Sequence, residues 1–170
     1  MHDATHKLLY TQVDSPIGEL LLTGDGRALK GLHMQEGRRP MRIHPDWIRA
    51  EEPFAQARTQ LAEYFDGRRR EFDLPLAPWG TPFQLRVWHA LRGIPYGRTA
   101  SYGEIARQVG VPSAPRAVGV ANGLNPIAVV VPCHRVIGAD GSLTGYGGGL
   151  ERKRLLLDLE AGTLPLQTAA

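Results

Sequence analysis

Three reactive side-chain types stand together in the segment AVVVPCHRVIG, residues 128–138. Cys133 is the only cysteine of the chain, and His134 and Arg135 follow it directly. A cysteine attacks as its thiolate, a form that nearby positive charge favours. An imidazole is the natural base for the thiol proton. Pro132 lacks a backbone donor and has a fixed φ, which suits a strand end and would present Cys133 at a turn. Neighbouring side chains on extended backbone point to opposite faces, so a Cys133–His134 couple needs a bend or a bridging water. Glu160 is the candidate for orienting the imidazole. It falls in the last turn of the final predicted helix, where the macrodipole disfavours a carboxylate, so a partner elsewhere would explain it. Against this stands the plain alternative, since a lone cysteine is most often a small buried hydrophobe.

Beyond the cysteine lie Gly138-Ala139-Asp140-Gly141 and then Gly145-Tyr146-Gly147-Gly148-Gly149. Such a loop bares backbone N–H groups and admits a flat ligand, or else it is only a flexible surface loop. No GK[ST] follows, so it is not a phosphate-binding P-loop.

The elements that must position these residues divide into two lobes. Leu8–Val13, Ile17–Thr23 and Ala28–Met34 read as strands of a small antiparallel sheet, with Gly24-Asp25-Gly26 as a hairpin signal. Residues 35–52 read as a polar connecting loop, and Phe54–Phe65 has helical spacing with Gly67 as its stop. Leu74–Gly80, with two prolines, reads as a linker. Thr81-Pro82-Phe83-Gln84 and Ser101-Tyr102-Gly103-Glu104 are capping boxes that open helices ending at Gly93 and Gly110. Ser113 reads as the N-cap of a further helix over 114–122, and two short helices about a glycine turn make a helix-turn-helix pattern. That second helix is nearly bald (Ala114, Ala117, Gly119, Ala121), with Arg116 projecting. Small residues there admit close approach, either by another helix or by a nucleic-acid groove. A last helix runs from about Leu150 to Glu160. The expected class is α/β in the α+β sense: a sheet-and-helix domain over 1–77, a mainly helical domain with the helix-turn-helix over 81–162, and a frayed tail over 163–170.

Composition bounds the rest. The chain has 170 residues, 42% hydrophobic and 22% charged, with a net charge of +3. Residues 98–154 carry seven basic and three acidic side chains, so positive charge collects around Cys133 and suits a polyanionic partner. The longest apolar runs, near 127–132 and 155–157, are too short for a membrane span. One cysteine excludes an internal disulfide framework and a thiolate metal cluster. The six histidines are scattered, with His2 and His6 as the one HxxxH pair and no cysteine beside them. The expectation is a cytoplasmic protein with no metal and no cofactor.

Taken together, PCHRVI at 132–137, SYGEIA at 101–106, PRAVGVANGLNP at 115–126 and GYGGG at 145–149 resemble the O6-alkylguanine-DNA alkyltransferase family. The resemblance runs in continuous order over roughly residues 81–160, and the N-terminal third fits only loosely. Some members hold a structural zinc there, but this chain lacks those cysteines.

The resemblance implies DNA repair by direct, stoichiometric transfer of an alkyl group from O6-alkylguanine, and from O4-alkylthymine, to Cys133 after the nucleotide is flipped out of the duplex. His134 would act as base through water, and Glu160 would orient it. Asn125 would brace the turn between the second helix and the strand bearing Cys133. Tyr102 would position phosphate and base, and Arg116 would fill the gap left by the flipped nucleotide. Ser101 and Ala117 would join the DNA-facing surface. Tyr146, Gly147 and Gly148 would address the guanine oxygen, while the carbonyls of Cys133 and Val136 would hold its exocyclic amine. Similar proteins often carry serine at the position of Gly147. The implied partner is double-stranded DNA with an alkylated guanine, entered through the minor groove by a monomer, with cooperative loading left open.

Chemistry agrees with that reading. The alkylated oxygen is shut inside a stacked duplex, so the nucleotide must be extruded. A thioether, unlike a thioester, offers water no acyl group, so the protein would be consumed in one turnover. Two rivals remain: a non-catalytic helix-turn-helix binder of DNA lesions, and a cysteine hydrolase with multiple turnovers.

Overall fold

In the computed structural model, which describes residues 7–163, strand β2 (Leu20–Gly24) is buried along its whole length between β1 (Leu9–Val13) and β3 (Leu29–Met34), both antiparallel to it. Leu20 pairs with Met34 and Leu22 with Leu32, so these four side chains share one face and enter the common core. Fully burying a leucine contributes about 1.5–3 kcal/mol, which fixes the register of this strand pair. The β2–β3 turn is closed by Asp25, whose carboxylate accepts from the amides of Arg27 at 2.8 Å and Ala28 at 2.9 Å.

The sheet is not purely antiparallel. A two-residue strand β4 (Ile48–Arg49), inside the segment read as a loop, pairs parallel to β1 and gives a mixed sheet of order β3-β2-β1-β4. Two residues carry no readable alternation, so nothing in the pattern marked them. The outer edge of β3 is also occupied. Leu29 bridges Leu76 in the expected linker, and Leu32 bridges Ile127 from the second lobe. Helix α1 (Ala55–Phe65) follows a 3-10 turn at Glu52–Phe54 and buries Leu61, Tyr64 and Phe65.

The second lobe begins as its caps predict. Thr81 and Gln84 exchange the two capping-box hydrogen bonds that open α2 (Pro82–Arg92), and Ser101 and Glu104 do the same for α3 (Tyr102–Gln108). Gly110, at φ +84, makes the turn between α3 and α4 (Pro115–Gly123), a conformation that only glycine adopts cheaply. Ser113 does not cap α4. Its N-cap is Ala114, with no side-chain cap, and Pro115 fixes the first helical φ instead. Trp88 Nε1 donates to the Ala121 carbonyl at 2.8 Å and pins α4 on α2. A short parallel pair, β5 (Ala100–Ser101) with β6 (Val136–Ile137), and helix α5 (Leu150–Glu160) complete the lobe. One apolar cluster runs through both lobes, joining Leu22, Leu32 and Leu61 to Val87, Ile127 and Leu156. Of the tail read as frayed, residues 164–170 lie outside the described residues, while Thr163 bonds the Asp158 carbonyl.

Candidate active site

Cys133 does not follow a strand. The apolar run before it folds into consecutive turns, and Cys133–Arg135 form a single 3-10 turn with Pro132 as its N-cap. Val129 sits at φ +69, the one non-glycine residue in the left-handed region among the described residues. That is a strained position for a β-branched side chain. Asn125 holds the strained turn from both sides. Its Oδ1 accepts from the Ile127 amide at 3.0 Å, and its Nδ2 donates to the Val131 carbonyl at 2.8 Å. Asn125 thus ties together a turn at the place where a strand was expected.

The 3-10 turn resolves the adjacency problem. Successive side chains on it diverge by about 120° rather than 180°. Cys133 faces a cleft while His134 enters the core, fully buried. His134 Nε2 lies 2.7 Å from Glu160 Oε2. Glu160 also accepts from Arg135 Nε at 2.7 Å, Arg135 Nη2 at 3.0 Å and the Tyr64 hydroxyl at 2.6 Å. Burial pushes the Glu160 carboxyl upward, but the hydrogen bond from His134 and the hydrogen bonds and charge of Arg135 outweigh it and hold it at about 2. Burial lowers the His134 pKa, only partly offset by Glu160, so the imidazole rests neutral. An ionised Glu160 accepts the Nε2 proton, which leaves Nδ1 as a free lone pair. Nδ1 is buried and has no hydrogen-bond partner among the described residues.

The expected thiolate is not the resting form. Burial pushes the Cys133 thiol up, against the pull of the neighbouring Asn125 amide, the Lys153 charge and the Tyr146 hydroxyl. The adjacent Arg135 does not help, because its guanidinium turns to Glu160 and to the Ile94 carbonyl at 2.7 Å. Cys133 is a thiol beside a neutral imidazole, an arrangement that ionises the sulfur by passing its proton on.

Tyr146, Gly147 and Gly148 line the same cleft as Cys133, together with Asn125, at about 140 Å³. The Tyr146 hydroxyl is buried without a partner among the described residues. A Cβ built on Gly147 meets nothing within 4 Å, so glycine there is not a steric requirement. Tyr102 does not line the cleft. Its hydroxyl bonds the Thr144 carbonyl and hydroxyl at 3.3 and 3.1 Å, which places it at the rim beside the glycine loop. The Ser101 hydroxyl is taken up in capping α3. Arg116 and Ala117 are exposed on α4, on the surface that a DNA groove would need. The Val136 carbonyl already accepts from Lys153 Nζ at 2.6 Å, and the Cys133 carbonyl from Asn122 Nδ2 at 3.4 Å.

Several residues here were not singled out from the sequence. Lys153 is fully buried and also bonds the Thr144 carbonyl at 2.9 Å, tying β6 to the glycine loop. Its spacing from Leu156 and Glu160 put it on the buried face of α5, and that was the signal available. Tyr64, His33 and Arg39 carried no local signal, because they reach the site from the other lobe.

Residues 8–78 match the family described as 6-O-methylguanine DNA methyltransferase, ribonuclease-like domain, and residues 82–162 match its DNA binding domain. A methylated-DNA–protein-cysteine methyltransferase of Mycobacterium tuberculosis is 57% identical over 92% of this chain and 94% of its own length. One from Methanosarcina acetivorans is 52% identical over 90% of this chain and 98% of its own. The crystal structure of Mycobacterium tuberculosis OGT in complex with DNA superposes with a TM-score of 0.86 at 55% identity, covering 92% of this chain and 95% of that one. With a thiol, a neutral imidazole and a buried carboxylate set behind a helix-turn-helix, and with both lobes matched along their length, the chain belongs to the 6-O-methylguanine DNA methyltransferase family.

Proposed function

We propose that Cys133 is the acceptor in a single-turnover DNA repair reaction. The enzyme transfers an alkyl group from alkylated DNA to its own cysteine. The observation that carries the assignment is the Nδ1 of His134, unpaired among the described residues, on a buried base whose other nitrogen is held on the Glu160 carboxylate. The substrate is O6-alkylguanine, with O4-alkylthymine as the second lesion, flipped out of the duplex into the Cys133 cleft. The thiol proton passes through a water to His134 Nδ1. Sγ attacks the alkyl carbon, an S–C bond forms, the C–O6 bond breaks, and the departing guanine takes a proton from water while the imidazolium later returns its own to solvent. The imidazolium formed is stabilised by Glu160. The thioether is permanent, so one protein repairs one base.

The α3–α4 pair enters the minor groove as part of a monomer, with Arg116 standing in for the extruded nucleotide and Ala117 against the backbone. Tyr102 guards the rim from its bond to Thr144, and Gly147 and Gly148 face the base. The lobes 1–77 and 81–162 are the domains of this machine, and the cytoplasm is its compartment. The test is Cys133→Ala. Transfer from an O6-methylguanine duplex is abolished and duplex binding is retained. Continued demethylation by the alanine variant would refute the assignment.

A further inference from the structure

The glycine loop that faces the cleft is held from outside itself. The Gly147 carbonyl accepts from the Arg38 amide at 3.3 Å, from the segment after β3. The Gly148 carbonyl accepts from Arg152 Nη1 at 3.2 Å. Arg152 is in the first turn of α5, and its Nε donates to the Ile17 carbonyl at 2.8 Å, in the β1–β2 turn of the other lobe. One guanidinium thus joins a carbonyl of the sheet lobe to a carbonyl of the loop beside Cys133. The side chain is only 23% exposed, so these charge-assisted bonds are not freely exchanged with water. Its 3.5 Å approach to Glu36, itself 61% exposed, adds little.

The surfaces that this guanidinium joins are closely fitted. A Cβ on Gly37 would come within 3.1 Å of the Gly147 carbonyl and the Gly148 Cα, and one on Gly148 would collide with Met34 Sδ. The loop packs closely on the sheet lobe.

We propose that Arg152 is a positioning residue for alkyl transfer: by clamping the Ile17 and Gly148 carbonyls together, it uses the N-terminal lobe to set the glycine loop at Gly148, at the mouth of the Cys133 cleft. The proposal rests on Cys133 as acceptor and gives the N-terminal lobe a part in the reaction. Arg152 touches neither sulfur nor base. Its effect is on geometry, and small displacements at a reacting centre cost rate steeply. Lysine would not replace it, because an ammonium is a point donor and the two carbonyls are met by a planar fork.

The experiment is single-turnover transfer by the full chain, with saturating rate and half-saturating duplex concentration measured separately. It is repeated with free O6-benzylguanine, which has no phosphate backbone. Arg152→Met is expected to lower the saturating rate by about 10- to 100-fold on both substrates. The half-saturating duplex concentration stays unchanged, and Arg152→Lys recovers only part of the rate. Arg154→Met, which removes an exposed charge from the same helix, keeps the wild-type saturating rate. A wild-type saturating rate in Arg152→Met overturns the proposal. So does a loss confined to the half-saturating duplex concentration with free-base transfer intact, which would make Arg152 a phosphate contact. Should Arg152→Met fail to fold, Arg152→Lys decides by the same readouts. The Cys133 adduct of the wild type is scored in the same samples. Its absence would sink the acceptor reading, whereas a normal wild-type adduct beside an unimpaired variant would sink the Arg152 assignment alone.

Discussion

Glu160 gathers an imidazole, a guanidinium and a phenol on one buried carboxylate. Its carboxyl is held at about 2 against an ordinary 4.5, so the folded protein binds fewer protons than the unfolded chain between those values. The resulting stabilisation is complete above the unfolded value and is lost as pH falls through the folded one, with a size of order 3 kcal/mol. The stability gap between wild type and Glu160→Gln, measured by urea unfolding, should therefore shrink as pH drops from about 5 to about 2. A gap independent of pH would contradict the ionised, tightly bonded carboxylate. Cys133, His134 and Glu160 were legible because each broke a local expectation: a lone thiol among polar neighbours, or an acid at the wrong helix end. The buried ammonium of Lys153 broke the same kind of rule, on the apolar face of α5. Tyr64 did not, for an aromatic on a helix face reads as core, and only the folded chain shows its hydroxyl turned to Glu160.

At the scale of elements, α3 was readable from its capping box and the turn into α4 from Gly110, because capping is a local matter of side chain and nearby amide. The exposed face of α4 carries Arg116 above small residues. Arg116→Ala is expected to slow repair of a duplex while leaving transfer from free O6-benzylguanine intact, because only the duplex has a vacancy to fill. Equal losses on the two substrates would contradict that role. The segment before Cys133 misled. Ile127–Val131 is apolar and β-branched, as a buried strand would be, yet Asn125 folds it into turns around the strained Val129. Periodicity does not register a side chain that bonds the backbone two and six residues ahead. Ser113 misled in the opposite way, since its type fits an N-cap but the helix starts one residue later, on Pro115.

At the scale of the whole molecule, two lobes were visible in the sequence and their union was not. β3 is bridged by Ile127 from the second lobe, Tyr64 bonds Glu160, and Arg152 holds the Ile17 carbonyl. These contacts span long stretches of chain, beyond any local pattern. Because one apolar cluster serves both lobes, heat should unfold the protein in one transition, coincident by far- and near-ultraviolet circular dichroism. Two separated transitions would show lobes that are stable on their own. No helix among the described residues is long and apolar enough to cross a membrane. Binding to duplex DNA should weaken steadily with added salt as phosphate contacts are screened. The most direct test is peptide mass spectrometry of the protein after mixing with excess duplex containing O6-methylguanine. One methyl group on Cys133, one repaired base per protein and no further turnover is the predicted result; an unmodified Cys133, or many bases repaired per protein, would contradict it.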